Sequence, residues 1–147
     1  MKHLGSLMMY SEEREKDLKR VYDEYIEKCK YVCMPYVYTH IVNMPSKRFW
    51  VSETRATLVV NGIIRGRNTL EKMCPSKREM FLEIYNRFVA LKEKNPQMST
   101  KDLCCMVVNQ PAPKFYLTPK TAKVMICKIR KKWMEEKQQK LLRLSCR

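Results

Sequence analysis

The side chains best suited to catalysis or metal binding in this 147-residue chain are its seven cysteines and two histidines. The tightest groupings are Cys29 with Cys33 and the adjacent pair Cys104 and Cys105. His40 follows Cys33, but no later residue continues the ligand spacing of a zinc site. A cysteine nucleophile needs a neighbouring base, and no plausible pair emerges. We therefore predict no enzyme, no metal and no cofactor, with reduced thiols that pack on helix faces.

The basic residues are the stronger functional signal. The chain has 30 basic and 15 acidic residues, a formal net charge of +15. Residues 46–78 carry +6 and residues 114–147 carry +9, whereas residues 1–45 and 79–113 are neutral. Charge that serves only solubility has no reason to segregate twice, so this pattern indicates a duplicated surface for an anionic partner. The longest apolar run, 103–108, is too short to span a bilayer. Because the first residues do not resemble a secretory signal, we predict a cytoplasmic protein.

An internal repeat organises the chain. Residues 41–63 align without gaps with residues 107–129, with six identities and eight conservative matches. The similarity extends upstream after a three-residue change in register. We therefore predict a tandem duplication. Its parts are a flexible N-terminus over residues 1–10, repeat 1 over 11–66, a linker over 67–74 and repeat 2 over 75–147.

Each repeat is predicted to contain three helices. The first two have apolar residues at helical spacing. A proline-containing segment follows, in which Phe49-Trp50 and Phe115-Tyr116 are expected to anchor the chain in the core. Ser52 is the expected N-cap of the third helix, and Thr118 is its counterpart.

The resulting fold class is all-α. We predict two tandem trihelical helix-turn-helix-like repeats, with an extended basic helix at the C-terminus. The connection between second and third helices is about eight residues, longer than the usual turn of three or four. Whether the repeats pack as one pseudo-symmetric domain or as two separate units stays open.

The third helices and the segments before them carry the candidate DNA-binding residues. Arg55 could donate to guanine and Asn61 to adenine. The full set of base-facing candidates, opposite the apolar stripes, is Thr54, Arg55, Thr57, Asn61, Lys120, Thr121 and Lys123. The candidates for phosphate contacts are Lys47, Arg48, Lys114, Lys128, Arg130, Lys131 and Lys132.

The segment before each third helix has a recognisable pattern, RFWVS at residues 48–52 and KFYLT at 114–118. With this pattern and its duplication, the chain resembles small basic tandem-repeat, helix-turn-helix-like proteins of bacterial phages and mobile elements. The resemblance is one of architecture and implies no settled activity. A phage origin would place the protein in the virion as well as the cytoplasm.

Charge and architecture together predict a non-enzymatic protein that binds double-stranded DNA as a regulator, accessory factor or DNA-coating protein. Two alternatives stay open. One is a structural or adaptor protein, for example of a phage particle, that binds an acidic protein. The other is an RNA-binding protein in which Trp50 and Tyr116 stack on single-stranded bases. The C-terminal helix could also mediate self-association, and no membrane partner is expected.

Overall fold

The computed structural model describes residues 4–145, with side chains from Tyr10 onward. Its helices are α1 (Leu4–Lys28), α2 (Met34–Val42), α3 (Glu53–Ile64), α4 (Pro75–Lys94), α5 (Thr100–Val108) and α6 (Pro119–Ser145), with a 3₁₀ turn at Leu70–Lys72. These residues contain no β-strand. The predicted all-α class is therefore confirmed.

The first helix begins earlier than the sequence suggested. Residues 4–10, predicted as a flexible N-terminus, are helical, and residues 1–3 lie outside the described part of the chain. The segment has no proline, and its leucines and methionines favour helix. Helix α1 therefore extends through this segment as far as Leu4.

Both third helices begin at the N-caps that the sequence indicates. The Ser52 hydroxyl accepts a hydrogen bond from the backbone N–H of Arg55 at 3.1 Å. The Thr118 hydroxyl accepts one from the backbone N–H of Thr121 at 3.2 Å. Each cap satisfies an amide that the first helical turn leaves without a partner, so the two repeats start their third helices in the same way.

The third helices are exchanged between the repeats. Helix α3 of repeat 1 packs on α4 and α5 of repeat 2, while α6 of repeat 2 packs on α1 and α2 of repeat 1. Two buried clusters result, which we call the α3–α4–α5 core and the α1–α2–α6 core. A helix-turn-helix unit would instead close its third helix onto its own first two helices.

Two crossing loops direct this exchange: loop 1 (residues 43–52) and loop 2 (residues 109–118). Ser46 and Ala112 donate their backbone N–H groups to each other's carbonyls at 3.0 and 3.1 Å. The two residues are equivalent in the repeat alignment, so a pseudo-twofold axis passes between them. Pro45 and Pro111 hold the loops extended, and each loop therefore carries its third helix across to the other repeat.

Further hydrogen bonds fasten each loop to the opposite repeat. The N–H of Phe49 donates to the carbonyl of Val108, at the end of α5, at 3.1 Å. The equivalent N–H of Phe115 donates to the carbonyl of Val42, at the end of α2, at 3.0 Å. The exchange is thus fixed by matching bonds on both sides of the pseudo-twofold axis.

The aromatic pairs of the loops divide between the two cores. Phe49 and Tyr116 are buried in the α3–α4–α5 core, with ring centroids 6.0 Å apart. Phe115 is buried in the α1–α2–α6 core, and Trp50 packs against the same core. Each loop therefore contributes one ring to each core, and the predicted anchoring of the aromatic residues is confirmed.

Candidate nucleic-acid interface

The exposed faces of α3 and α6 hold most of the predicted base-facing residues. On α3, Thr54 and Arg55 are exposed in the first helical turn, and Asn61 is half-buried. On α6 all three predicted base-facing residues, Lys120, Thr121 and Lys123, are exposed. The two third helices that carry these faces follow loops 1 and 2, which are hydrogen-bonded to each other at Ser46 and Ala112.

Thr57 does not lie on the exposed face of α3. Its hydroxyl donates to the carbonyl of Glu53 at 2.8 Å and also lies within hydrogen-bonding distance of the buried Cys104 thiol of α5. The exchange of third helices places α5 against this side of α3, which the helical wheel had left facing solvent. Thr57 is therefore half-buried with its hydroxyl proton already donated, whereas its repeat equivalent Lys123 is exposed.

Sequence reasoning missed an apolar residue at the centre of each face. Leu58 on α3 and Val124 on α6 are each 62% exposed, and they occupy equivalent positions in the repeat. They were assigned to neither the core nor the exposed face, although their shared alignment position and polar flanks were a signal that could have identified them. An exposed aliphatic side chain within a basic face can contact a thymine methyl group.

The phosphate candidates on and beside the third helices are largely unpaired. Lys47, Lys128, Arg130, Lys131 and Lys132 are exposed. Within residues 4–145, no ion pair forms at these five residues or at the exposed cations Arg55, Lys120 and Lys123. These groups are therefore free to attract an anionic ligand.

The first helices of the repeats show the opposite arrangement. On α1, Arg20 contacts both Asp17 and Glu24, and Lys19 contacts Asp23. On α4, Arg87 contacts Glu83 at 3.0 Å. Several basic side chains of the first helices thus have acidic neighbours, although Lys28 and Lys94 have no ion pair among the described residues. The longest run of exposed cations without carboxylate partners lies on α6.

Two phosphate candidates hold the loops in place instead. Arg48 donates to the carbonyls of Phe49 and Val51 at 3.2 Å each, and its guanidinium lies over the rings of Tyr10 and Trp50. Lys114 forms an ion pair with Glu79, and its ammonium group lies 5.4 Å from the Tyr116 ring centroid. Residue type alone does not distinguish such structural contacts from phosphate binding.

An acidic residue at the start of α3 is turned away from the exposed face. The carboxylate of Glu53 accepts a hydrogen bond from the Asn109 side chain at 3.2 Å. Hydrogen bonds from Cys105 and Asn109 lower the pKa of Glu53. Its negative charge is therefore directed toward α5 and remains compatible with an anion near the exposed side of α3.

Asp17 connects loop 1 to α1 and was not predicted as a special residue. Its side chain is 1% exposed and contacts Arg20 at 2.7 Å. One carboxylate oxygen also accepts from the backbone N–H of Lys47 at 2.9 Å and from the indole N–H of Trp50 at 3.3 Å. Its repeat equivalent is the apolar Met80, a signal that could have singled out Asp17 among the acids of α1.

The burial of Tyr116 predicts a loss of stability at high pH. Burial, together with the carboxylates of Glu83 and Glu79, raises the pKa of Tyr116 to about 12. The unfolded chain releases this proton near pH 10. Between pH 10 and 12 the folded state therefore retains more protons, and stability falls as pH rises, by up to about 2–3 kcal/mol.

Urea denaturation of the wild type and of Tyr116→Phe at pH 9, 10, 11 and 12 measures this contribution. The variant retains the ring but has no hydroxyl to titrate, while the lysines and other tyrosines titrate in both proteins. We expect the wild type to lose more stability than the variant across this interval. Parallel curves would contradict a raised pKa of Tyr116.

Neither a metal site nor a membrane-spanning helix is found in the part of the chain that the structure describes. Among the described residues, no group of three or more Cys, His, Asp or Glu side chains could hold a metal ion. No helix within residues 4–145 combines the length and apolar character needed to cross a membrane. No known protein family, curated protein or solved structure matches the chain.

Proposed function

We propose that this protein binds double-stranded DNA, without catalysis, through the exposed faces of α3 and α6. The observation that supports the proposal is the run of exposed cations without carboxylate partners along α6, together with Lys47 of loop 1 and Arg55 of α3. DNA supplies the dense negative charge that such a surface attracts. In this role the protein would be a regulator, accessory factor or DNA-coating protein of a phage or mobile element, located with DNA in the cytoplasm or virion.

The pseudo-twofold axis supports a mode of binding like that of a helix-turn-helix dimer contained in one chain. The N-cap Ser52 follows Ser46 by six positions, and Thr118 follows Ala112 by the same number. Fully extended, these segments keep the N-termini of α3 and α6 within about 50 Å of each other. The spacing of two half-sites one DNA turn apart, about 34–36 Å, falls within that limit.

The residues of the two faces would have different roles. Arg55 can donate two hydrogen bonds to a guanine, and the aliphatic side chains of Leu58 and Val124 can contact thymine methyl groups. Lys47 and Lys131 are suited to phosphates, which fix the position of a protein on DNA without reading its sequence. The proposed interface thus combines one base-contacting helix face from each repeat with phosphate contacts around it.

The RNA alternative receives less support from the positions of the aromatic rings. Tyr116 is 9% exposed and packs on Phe49. Trp50 donates its indole N–H to Asp17 and contacts the Arg48 guanidinium. Rings that bind single strands must offer a free face to the bases, but Tyr116 is buried and Trp50 is half-buried against Asp17 and Arg48.

Fluorescence anisotropy with labelled duplex DNA, between 50 and 200 mM salt, tests the proposal. Contact with roughly six to ten phosphates would give a log–log slope of about −5 to −9. Removing Lys131 and Lys132 together should reduce the magnitude of that slope by about 2, with little change in sequence preference. Removing Arg55 and Lys123 together should lower the preference for a selected site by about tenfold or more.

A matched control removes two exposed lysines from the first helices, Lys28→Ala with Lys94→Ala. This variant has the same net charge as the Lys131/Lys132 variant but leaves α3 and α6 intact. We expect its salt slope to stay close to that of the wild type. Equal slopes in all three double variants, or competition by single-stranded RNA as effective as by duplex DNA, would contradict the proposed interface.

A further inference from the structure

The distal half of α6 projects from the folded body. The buried residues of this helix, Ala122, Met125 and Ile126, all lie in its first third. Every residue from 130 to 145 is exposed. This segment, which we call the α6 arm, is about 24 Å long and carries a net charge of +4.

A narrow apolar seam runs along the arm. Met134, Lys137, Leu141 and Leu144 follow the alternating spacing of three and four residues that forms the contact seam of a coiled coil. Met134, Leu141 and Leu144 are 53–60% exposed. The Lys137 ammonium lies 4.7 Å from the centroid of the Trp133 ring, at the edge of the seam.

The seam continues into a groove between α1 and α6. This groove has a volume of about 250 Å³ and is lined by Tyr22, Ile129 and Trp133, with Lys19, Asp23 and Arg130 at its edges. Trp133 borders both the groove and the seam. An apolar surface of this shape accommodates a single partner helix, whereas a helix that lies on a membrane presents a broader apolar face.

We propose that the α6 arm is the docking surface for an acidic amphipathic helix of a partner protein. Acidic side chains beside the partner's own seam would pair with Lys137, Lys140 and Arg143 while its apolar residues cover Leu141 and Leu144. The apolar residues of the seam are not part of the proposed DNA contacts, so this docking does not depend on DNA binding.

A second copy of the chain fits this surface less well. Two arms would bring net charges of +4 together. In a parallel pair, Lys137 would face its own equivalent, and in an antiparallel pair it would lie against the apolar residues of the other copy. An acidic helix removes both conflicts, because it neutralises the arm and provides Lys137 with a carboxylate.

Binding of a designed peptide to the full-length protein tests the proposal. The probe is a labelled 21-residue helix of three heptads, with leucine at the seam positions and glutamate on both flanks. A matched peptide has lysine in place of glutamate. We expect fluorescence anisotropy to give an affinity at least about tenfold higher for the acidic peptide than for the basic one.

Two adjacent leucines provide a matched pair of variants. Leu141→Glu places a charge in the seam, whereas Leu142→Glu places the same charge about 100° around the arm, outside the spacing of the seam, where Leu142 is 64% exposed. We expect at least about a tenfold loss of acidic-peptide affinity for the first variant and less than about twofold for the second. Lys137→Glu should shift the preference toward the basic peptide.

Three results would overturn the proposal. The first is an equal loss for Leu141→Glu and Leu142→Glu, which would indicate attraction by charge alone. The second is a dimer of the free protein, detected by sedimentation equilibrium, that Leu141→Glu dissociates. The third is binding to vesicles of phosphatidylglycerol with no binding to the acidic peptide.

Discussion

Replacing Phe49 by alanine is expected to lower the free energy of unfolding by about 3–5 kcal/mol. Its side chain is 1% exposed and belongs to the α3–α4–α5 core, and the Arg87 guanidinium lies 5.0 Å from its ring centroid. Because Phe49 is a residue of repeat 1 packed among helices of repeat 2, its loss should loosen α4 and α5. Urea denaturation with amide hydrogen exchange measures both the size and the location of the effect.

The equivalent substitution in repeat 2 provides the mirror-image comparison. Phe115 is 4% exposed in the α1–α2–α6 core, so Phe115→Ala should increase exchange in α1 and α2. Leu58→Ala, at a position 62% exposed, should change stability by less than about 1 kcal/mol. If Phe49→Ala instead increased exchange mainly in α1 and α2, the third helices would not be exchanged.

The helices were largely predictable because their signals are local. Apolar spacing located the first helices, and the N-caps Ser52 and Thr118 fixed the start of the third helices through contacts three residues away. The repeat alignment was visible for the same reason, since both copies must satisfy the same local requirements. Such signals specify each element but do not specify which other elements it contacts.

The exchange of third helices could not be read from the sequence. Val59 and Val60 of α3 occupy the same repeat positions as Met125 and Ile126 of α6, and all four are buried aliphatic side chains. Either third helix therefore presents a similar apolar face to either pair of first helices. The choice is made by the crossing loops, whose hydrogen bonds to the opposite repeat are long-range contacts.

The candidate interface was predictable in part for the same reason. A helical wheel correctly left Arg55 and Lys120 exposed. It misplaced Thr57, whose environment depends on α5, and it could not show that Arg48 lies between two aromatic rings. Side chains whose surroundings come from distant parts of the chain were the ones that sequence patterns described least well.

Replacing Asp17 by alanine is expected to cost about 2–4 kcal/mol of folding stability. The substitution leaves the backbone N–H of Lys47 and the indole N–H of Trp50 without their acceptor, whereas the half-exposed Arg20 keeps its ion pair with Glu24. Repeat 2 has the apolar Met80 at the equivalent position, so loop 2 makes no matching contact. The loss of structure should therefore be greatest in loop 1.

Asp23→Ala is the matched control, because it removes another acid from α1. The one ion pair described for Asp23, with Lys19 at 3.5 Å, is exposed. It should cost less than about 1 kcal/mol.

Urea denaturation gives both values, and amide exchange of residues 44–52 reports on loop 1 itself. If Asp17→Ala matched Asp23→Ala in stability and left this exchange unchanged, the buried carboxylate would not be what holds loop 1 against α1. A large loss of stability with faster exchange in loop 1 would identify Asp17 as the residue that fixes the path of the chain into α3, and therefore the position of one half of the proposed DNA-binding surface.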